Sequence, residues 1–255
     1  MKVQRLPLHH DARAAGSVCA AFICIVLSWA NGAARAGEPN TLTDAEKSAG
    51  WRLLFDGKST AGWRGYNQPA MPPGWKVMDG SLVRVSGGTG GKGAGGGDDI
   101  ITTDQFDSFE LSLEWKIVAG GNSGILYHMT EGAQTTWHVA PEMQILDNGK
   151  NLKRDKRQLA CACYDLHAPA KDVTRPPGEW NEARLVVSSA HVEHWLNGEK
   201  LVEYELWSDD WNARVAKSKF KDKPDFAKAR KGHICLQEHT DRIEFRNIKL
   251  RPLAK

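Results

Sequence analysis

The segment 137–147 carries the side chains best suited to chemistry on a polar substrate. On an extended strand, Glu142 and Gln144 share one face while Met143 and Ile145 share the other. A carboxylate can accept a proton and a neighbouring amide can hold a hydroxyl group, so this pair could act as general base and substrate clamp. That role requires Met143 and Ile145 to face a core between two sheets. The same alternation is also typical of a solvated outer face.

The segment 232–239 repeats this alternation. Gln237 and His239 fall on one face of the predicted strand, and Ile234 and Leu236 fall on the other. His239 lies at the strand end, where an imidazole could serve as an acid or a base. A single histidine is also frequently structural, so both roles stay open.

The turn 120–124 places polar groups between two predicted strands. Its glycines permit positive φ, and Asn122 and Ser123 follow them at a strand end. His128 shares a face with Leu126 on the next strand and could reach the same cleft. A plain turn explains the 120–124 pattern almost as well.

Several familiar catalytic signatures are missing from the sequence. It has no His-x-His or His-Glu-x-x-His spacing, so a divalent metal would need ligands from distant segments. It also lacks the Gly-x-Ser-x-Gly elbow of many serine hydrolases. The glycine-rich run 87–97 resembles a phosphate loop only superficially, since Lys92 is followed by Gly93 and no helix follows.

Strand signals dominate the elements that must position these residues. The segment 107–118 alternates between apolar and polar residues, and Asn197-Gly198 is a type I′ turn signal inside a predicted hairpin over 190–206. One helix is predicted over 208–219, followed by a basic stretch, 219–231, interpreted as a solvated excursion over the sheet. Further short strands are predicted at 51–55, 75–78, 81–85, 100–103, 125–129, 143–146, 183–187, 234–236 and 243–250.

These short strands, glycine-rich turns and scarce helices predict an all-β fold, an antiparallel sandwich with one or two short helices. The 255 residues suit one such domain at 50–255, preceded by a polar lead-in at 37–49. Nine of the ten tryptophans lie after residue 36. Their flat apolar faces suit sugar rings, although most are expected in a sandwich core.

The first 36 residues are predicted to be a secretory signal peptide. A basic stretch, an apolar run over 14–30 and the small residues Ala34-Arg35-Ala36 predict cleavage after Ala36 and export to the periplasm or the extracellular space. An uncleaved anchor is the alternative, but the run is short for a bilayer span and no later segment is apolar enough, so no stable membrane insertion is expected after cleavage.

The remaining chain is neutral, because the leader accounts for the formal charge of +3. A neutral body argues against nucleic acid as the main partner. Its three cysteines, Cys161, Cys163 and Cys235, are predicted to be buried thiols, although one disulfide stays open.

Seven ordered motifs together resemble the 3-keto-disaccharide hydrolase domain family. They are the segments 54–58 with Gly62-Trp63, 75–80, 121–125, 141–148, 178–181, 194–198 and 244–248. The chain departs from the family pattern at Cys161-Ala162-Cys163-Tyr164, at Glu238 where aspartate is common, and at His128 where arginine is common.

The resemblance implies a concanavalin/laminin-G-like jelly roll that acts on glycosides with a ketone at sugar carbon 3. A ketone there acidifies the hydrogen on carbon 2, so a base can form an enediolate and the substituent on carbon 1 can leave. Glu142 or His239 is the expected base, and Arg246 is a candidate oxyanion stabiliser that could equally form a structural ion pair. The other candidate sugar contacts are Asn122, Ser123, His128, Trp137, His138, Gln144, Asp147 and Gln237.

Other functions stay open at this stage. The enzyme could be a hydrolase or a lyase, and a divalent metal could replace one donor. A non-catalytic carbohydrate-binding module would use the same tryptophans and polar strand ends, and a protein-binding sandwich would instead expose an apolar patch. Turnover of a 3-keto-glycoside separates these readings.

Overall fold

A computed structural model describes Met1 and residues 38–85 and 98–254. The predicted signal peptide, apart from Met1, and the glycine-rich run 87–97 lie outside the described residues. Within residues 38–85 and 98–254, no helix combines the length and apolar character needed to cross a membrane.

Thirteen β-strands form the framework of the described chain. Their bounds are β1 Arg52–Leu53, β2 Trp63–Gly65, β3 Trp75–Met78, β4 Ser81–Arg84, β5 Ile100–Thr102, β6 Phe109–Ile117, β7 Asn122–Met129, β8 Glu142–Leu146, β9 Asn181–Ser188, β10 His191–Leu196, β11 Glu199–Glu205, β12 His233–Leu236 and β13 Ile243–Pro252.

The strands build two antiparallel sheets. The large sheet has the order β11-β10-β9-β6-β13-β4-β3, with β1 also paired to β13, and the small sheet has the order β2-β5-β12-β7-β8. Apolar residues of both sheets form one core, because alternate side chains of each strand face the opposite sheet. The predicted all-β antiparallel sandwich is confirmed.

Two short helices occur in the described residues. Helix α1, Asp44–Ser48, begins with a capping box in which Thr43 and Glu46 satisfy each other's backbone amides. Helix α2, Asp209–Val215, begins at the predicted N-cap Ser208. It ends four residues before the predicted boundary, where the Ser218 hydroxyl donates to the Val215 carbonyl.

The two faces of β8 have different environments. Met143 and Ile145 pack in the core between the sheets, together with Ile125 and Tyr127 of β7. Glu142 and Gln144 therefore lie on the other face of the small sheet, as their chemistry requires. That face is not solvated, since every residue of β8 is buried.

The helix α2 and the stretch that follows it, residues 208–231, help to cover this face and are called the excursion below. Part of the excursion is buried. Phe220 and Phe226 are buried, and their rings stack with centroids 3.8 Å apart. Trp211 is also buried and lies parallel to Phe226. Most of 219–231 is exposed, as expected of a solvated excursion, but the expectation missed its buried residues, since Phe220 and Phe226, at no regular spacing, anchor it in the core.

Local predictions at the hairpin and the cysteines are confirmed. Asn197 and Gly198 both adopt positive φ, as a type I′ turn between β10 and β11 requires. Cys161, Cys163 and Cys235 are free and buried. Burial raises the pKa of the Cys163 thiol to about 12, so it is an inert packing residue.

Candidate active site

Three neighbouring strands of the small sheet form the floor of a polar cavity. Gly124 of β7 pairs with Gln144 of β8. On its other side, the backbone N–H of Gln237 donates to the Gly124 carbonyl at 2.9 Å. Gly124 thus lies between the two glutamines, and its missing side chain leaves the space that the Glu142 side chain occupies. The cavity, called the Glu142 cavity below, is lined by Asn122, Trp137, Glu142, Gln144, Tyr164, Lys219, Gln237 and His239.

Glu142 is the buried carboxyl group of this cavity. It is only 5% exposed, and burial raises its pKa to about 7. The positive charge of Lys219 opposes this rise, and the negative charge of Asp99 adds to it. A carboxyl group with this pKa can exchange a proton near neutral pH, which suits a general base.

Two amide oxygens in the cavity have no hydrogen-bond partner among the described residues. They are Oδ1 of Asn122 and Oε1 of Gln144, and both are buried. The Gln144 amide nitrogen donates to the Gln158 carbonyl at 3.4 Å, which orients its oxygen. Because an unpaired buried acceptor is costly, these oxygens are well placed to accept hydrogen bonds from substrate hydroxyls.

A short segment along the free edge of β8 brings Tyr164 into the cavity. The amides of Cys161 and Tyr164 donate to the carbonyls of Gln144 and Glu142 at 2.8 and 3.0 Å. The segment 161–164, which departs from the family pattern, therefore continues the small sheet beyond β8. It fixes the Tyr164 ring beside Glu142.

Trp137 and Lys219 form the outer wall of the cavity. Trp137 belongs to a short 3-10 turn, Thr136–His138, that the Thr136 hydroxyl ties to the buried Asp99. The Lys219 ammonium lies 3.9 Å from the Tyr164 ring centroid and 4.6 Å from the Trp137 ring centroid. Lys219 is an exposed residue whose ammonium lies close to the faces of both rings.

Asn122, Trp137, Glu142, Gln144, Gln237 and His239 are the sequence-predicted residues that the structure brings together in this cavity. They come from β7, the 3-10 turn, β8 and the segment that follows β12. Their convergence depends on the order β12-β7-β8 in the small sheet.

Ser123 and His128 lie outside the lining. The Ser123 hydroxyl donates to the Gln237 carbonyl at 2.7 Å and so supports the neighbouring strand. His128 has a φ of 52°, which turns its side chain away from the face of Leu126. Its ring packs against Phe109 and bonds the Asp107 carbonyl at 2.7 Å.

His138 and Asp147 lie beside the cavity rather than in its wall. The His138 ring packs edge-on against Trp137 at 4.1 Å. The Asp147 carboxylate accepts from the amides of Gly120 and Gly149 at 2.7 and 3.0 Å, and so fixes the turn before Asn122.

Arg246 lies on the outer face of the large sheet. Its Nε donates to the Glu114 carboxylate at 2.6 Å, and its guanidinium covers the Trp180 ring at 4.0 Å. The structure therefore gives Arg246 the ion-pair environment that sequence analysis left open and places it away from the Glu142 cavity.

Tyr164 and Lys219 were missed by the sequence analysis. The cysteine-rich segment before Tyr164 shows no apolar–polar alternation that would indicate a strand. It pairs with β8 through only a few hydrogen bonds. Lys219 belongs to a run of exposed lysines, and no periodic pattern distinguishes it from Lys217 or Lys221.

One group of three potential metal ligands occurs in the described residues, and it lies outside the Glu142 cavity. His191, Glu193 and Glu203 place ligand atoms within 4.8 Å of one another on β10 and β11. Lys200 already bridges Glu193 and Glu203 at 3.0 and 2.8 Å.

The Glu142 cavity stands out among the cavities of the described chain by its chemistry and not by its size. Its volume is about 40 Å³, whereas a cleft beside Val118 and Pro177 has about 420 Å³. The larger cleft has its charged groups in ion pairs, such as Lys116 with Glu244 at 2.9 Å. A buried carboxyl group with a shifted pKa beside unpaired amide oxygens is the stronger sign of a functional site.

The fold is that of an antiparallel β-sandwich protein, and its Glu142 cavity places a buried carboxyl group of raised pKa beside unpaired amide oxygens. The chain belongs to the family of 3-keto-alpha-glucoside-1,2-lyase-like domains, whose pattern matches residues 50–251. The resemblance drawn from the sequence motifs is confirmed.

Named relatives agree with this assignment. The chain is 34% identical over 244 residues to a 3-keto-disaccharide hydrolase of Bacteroides thetaiotaomicron, covering 86% of this chain and 84% of that protein. A protein from Parabacteroides distasonis, provisionally called a glycosyl hydrolase, has a crystal structure that matches this fold with a TM-score of 0.76. The two sequences are 34% identical, and the match covers 85% of this chain and all of that one. A second such protein from that species is 28% identical with a TM-score of 0.61, over 80% of this chain and 99% of that one. Together they support a glycoside-cleaving role for this chain.

Proposed function

We propose that this protein cleaves 3-keto-glycosides by removing the proton on sugar carbon 2 and releasing the substituent on carbon 1. The observation that carries the proposal is Glu142, a buried carboxyl group with a pKa of about 7 in a cavity lined by amides. The names of the family and of the Bacteroides relative support the 3-keto sugar as substrate.

The reaction needs a base, a site for the developing enolate and a proton donor. Glu142 accepts the proton from carbon 2, and the C–H electron pair becomes the enolate of carbons 2 and 3. The enolate then re-forms the ketone and a double bond between carbons 1 and 2, while the bond from carbon 1 to the leaving oxygen breaks. Protonation of that oxygen completes the elimination.

His239 is the proposed proton donor. It lies at the end of the segment that follows β12, is partly exposed, and lines the same cavity as Glu142. A donor at the mouth can reach a leaving group that extends toward solvent. This assignment leaves Glu142 as the base, because Glu142 is the more deeply buried of the two.

The unpaired oxygens of Asn122 and Gln144 would hold the sugar hydroxyls, and Trp137 would offer an apolar surface to the ring. Because the cavity is much smaller than a pyranose ring, the edge with carbons 1 to 3 would enter it. The rest of the sugar would lie at the mouth.

The decisive experiment uses a 4-nitrophenyl 3-keto-α-glucoside, with the unoxidised 4-nitrophenyl α-glucoside as the matched control. We expect release of 4-nitrophenol from the keto substrate alone. Binding without release would indicate a carbohydrate-binding module and would reject the enzymatic proposal.

The sugar product separates a lyase from a hydrolase. An elimination yields an enone with a strong near-ultraviolet absorbance, whereas addition of water at carbon 1 yields a 3-keto sugar without it. NMR of the product mixture over time would show which of them leaves the enzyme.

Export of the mature protein is a further part of this proposal. It rests on the basic, apolar and small-residue pattern of the first 36 residues. The intact mass of protein recovered from the periplasmic or extracellular fraction should correspond to a start at Gly37, and a retained Met1 would contradict it.

A further inference from the structure

The proposed elimination lacks one group, a cation or hydrogen-bond donor for the enolate oxygen. The oxygen on carbon 3 gains negative charge when the proton on carbon 2 is removed, and enzymes stabilise such charge with fixed donors. Arg246 was the sequence-based candidate, but its guanidinium is engaged by Glu114 and Trp180 on the outer face of the large sheet.

Lys219 is a cation of the cavity wall with unused hydrogen-bonding capacity. Within residues 38–85 and 98–254, its ammonium forms no ion pair within 4.0 Å, whereas many other basic side chains of the chain do. The carboxylates of Glu142 and Asp165 act on it through space. An ammonium that no carboxylate neutralises keeps its donors for a ligand.

The chain around Lys219 holds this side chain at the cavity. The Lys219 amide donates to the Asp165 carboxylate at 2.9 Å, and the Phe220 amide donates to the Ser218 hydroxyl at 3.1 Å. Phe220 itself is buried, and its ring contacts those of Phe226 and Trp137. The backbone at Lys219 is therefore fixed on both sides, which limits the space that the ammonium can reach.

The rings of Tyr164 and Trp137 set the environment of the ammonium. Both ring centroids lie within 5 Å of Nζ, a distance at which aromatic faces attract a cation. Partial desolvation lowers the pKa of Lys219, and the carboxylates of Glu142 and Asp165 oppose this effect. A less hydrated ammonium is a stronger donor to an oxyanion than one in bulk water.

We propose that Lys219 is a catalytic residue that donates a hydrogen bond to the oxygen on sugar carbon 3 as that oxygen becomes an enolate. The inference rests on the proposed function. Glu142 takes the proton from carbon 2, the electron pair moves onto the oxygen of carbon 3, and the Lys219 ammonium keeps its own proton while it stabilises the charge. When the bond from carbon 1 to the leaving oxygen breaks, the ketone re-forms, carbons 1 and 2 become doubly bonded, and the negative charge passes to the leaving oxygen, which His239 protonates.

The test replaces the ammonium and keeps the aliphatic chain, in Lys219→Met. We expect kcat on the 3-keto substrate to fall about 10²–10³-fold, the usual cost of removing one oxyanion donor, while KM changes only a few-fold. Exchange of the proton on carbon 2 with D2O should slow in parallel, because the enolate itself becomes less stable. Lys221→Met, an exposed lysine of the same excursion, is the matched control and should keep wild-type rates.

Chemical rescue separates a missing charge from a disturbed structure. Lys219→Ala opens space at the cavity wall, and added ethylammonium should restore part of kcat, whereas ethanol at the same concentration should not. Loss of activity that ethylammonium does not reverse would assign the effect to structure and overturn the proposal.

The outcomes also distinguish this inference from the proposed function. A wild-type protein that turns over no 3-keto-glycoside would reject the proposed function and this role with it. Wild-type turnover combined with a fully active Lys219→Met, or with a loss confined to KM, would reject the role of Lys219 alone.

Discussion

Gly124 makes room for the Glu142 carboxyl group across the β7–β8 pair. A Cβ atom built on Gly124 would lie 2.8 Å from both Cγ and Cδ of Glu142, closer than such atoms pack. The side chain of Glu142 thus occupies the volume that any other residue at position 124 would fill. The position of the proposed base depends on this missing side chain.

Gly124→Ala should therefore reduce activity by moving Glu142. Because Glu142 can shift at its flexible end, we expect a Tm close to wild type and a loss of kcat/KM of at least about 10-fold. A double-mutant cycle with Glu142→Gln checks the cause, since Gly124→Ala should add no further loss in that background. Independent, additive losses would contradict the link between the two residues.

Glu142→Gln should separate activity from stability. Loss of a general base costs about 10²–10⁴-fold in rate. We expect no loss of Tm at pH 8, because the substitution removes a buried carboxylate that has no ion pair within 4.0 Å in the part of the chain described here. Kinetics and thermal unfolding on one preparation test both points. A stable variant with wild-type turnover would exclude Glu142 as the base and favour His239.

The pH dependence of stability should also reflect the raised pKa of Glu142. The folded-state pKa of Glu142 is raised to about 7 from its usual 4.5, so the folded protein binds more protons than the unfolded chain between these values. The favourable contribution of Glu142 to the free energy of unfolding is complete below about pH 4.5 and is lost as the pH rises through about 7. Tm should therefore fall from pH 5 to pH 8 more steeply in the wild type than in Glu142→Gln. A residual slope in the variant is expected from Asp99, whose pKa burial also raises to about 7.

The pH–rate profile should show Glu142 as an ascending limb. The base form is the carboxylate, so kcat/KM on the 4-nitrophenyl substrate, whose leaving group needs no proton from His239, should rise with pH and level off above about 7. Since the charge of Lys219 lowers the pKa of Glu142, Lys219→Met should move this limb to higher pH. A limb that stays in place would show that the ammonium and the carboxyl group do not interact in solution.

The proposed role of His239 predicts a dependence on the leaving group. His239→Gln should slow release of a sugar or alkyl alcohol about 10²–10³-fold, because such an alkoxide needs a proton donor. Release of 4-nitrophenolate, a far weaker base than an alkoxide, should change little. Equal losses for both leaving groups would argue against His239 as the donor.

A buried ion pair supports the strand end that carries Gln237 and His239. Arg84 of β4 contacts Glu238 at 3.0 Å, and both side chains are fully buried. Arg84→Met should cost about 3–5 kcal/mol in the free energy of unfolding, because it leaves the Glu238 carboxylate without its partner. Lys171→Met, which breaks the exposed pair with Glu199, should change it by less than about 1 kcal/mol. Denaturant unfolding of both variants measures the difference.

Local alternation was enough to predict the fold and part of the cavity. The period of two in 137–147 separated Glu142 and Gln144 from Met143 and Ile145, because a strand must turn successive side chains to opposite faces. The same rule grouped Gln237 with His239. It could not show which face was covered, since the excursion that covers it is anchored by Phe220 and Phe226, far away in the sequence.

Where the backbone leaves the regular strand, the local rule fails. His128 was grouped with Leu126 by alternation, but its positive φ turns the ring toward Phe109. Only the folded backbone shows this deviation, because histidine at that position carries no sequence signal for a left-handed conformation.

Residue periodicity and the ordered motifs were enough to predict the sandwich, the family and the polar faces of two strands. The tertiary structure decided which polar residues meet. Sheet order brought β12, β7 and β8 together, and packing of the excursion placed Lys219 over Tyr164 while cross-strand pairing placed Arg246 against Glu114. These contacts join residues distant in sequence, so their geometry follows from how the sheets pair and pack and not from any local pattern.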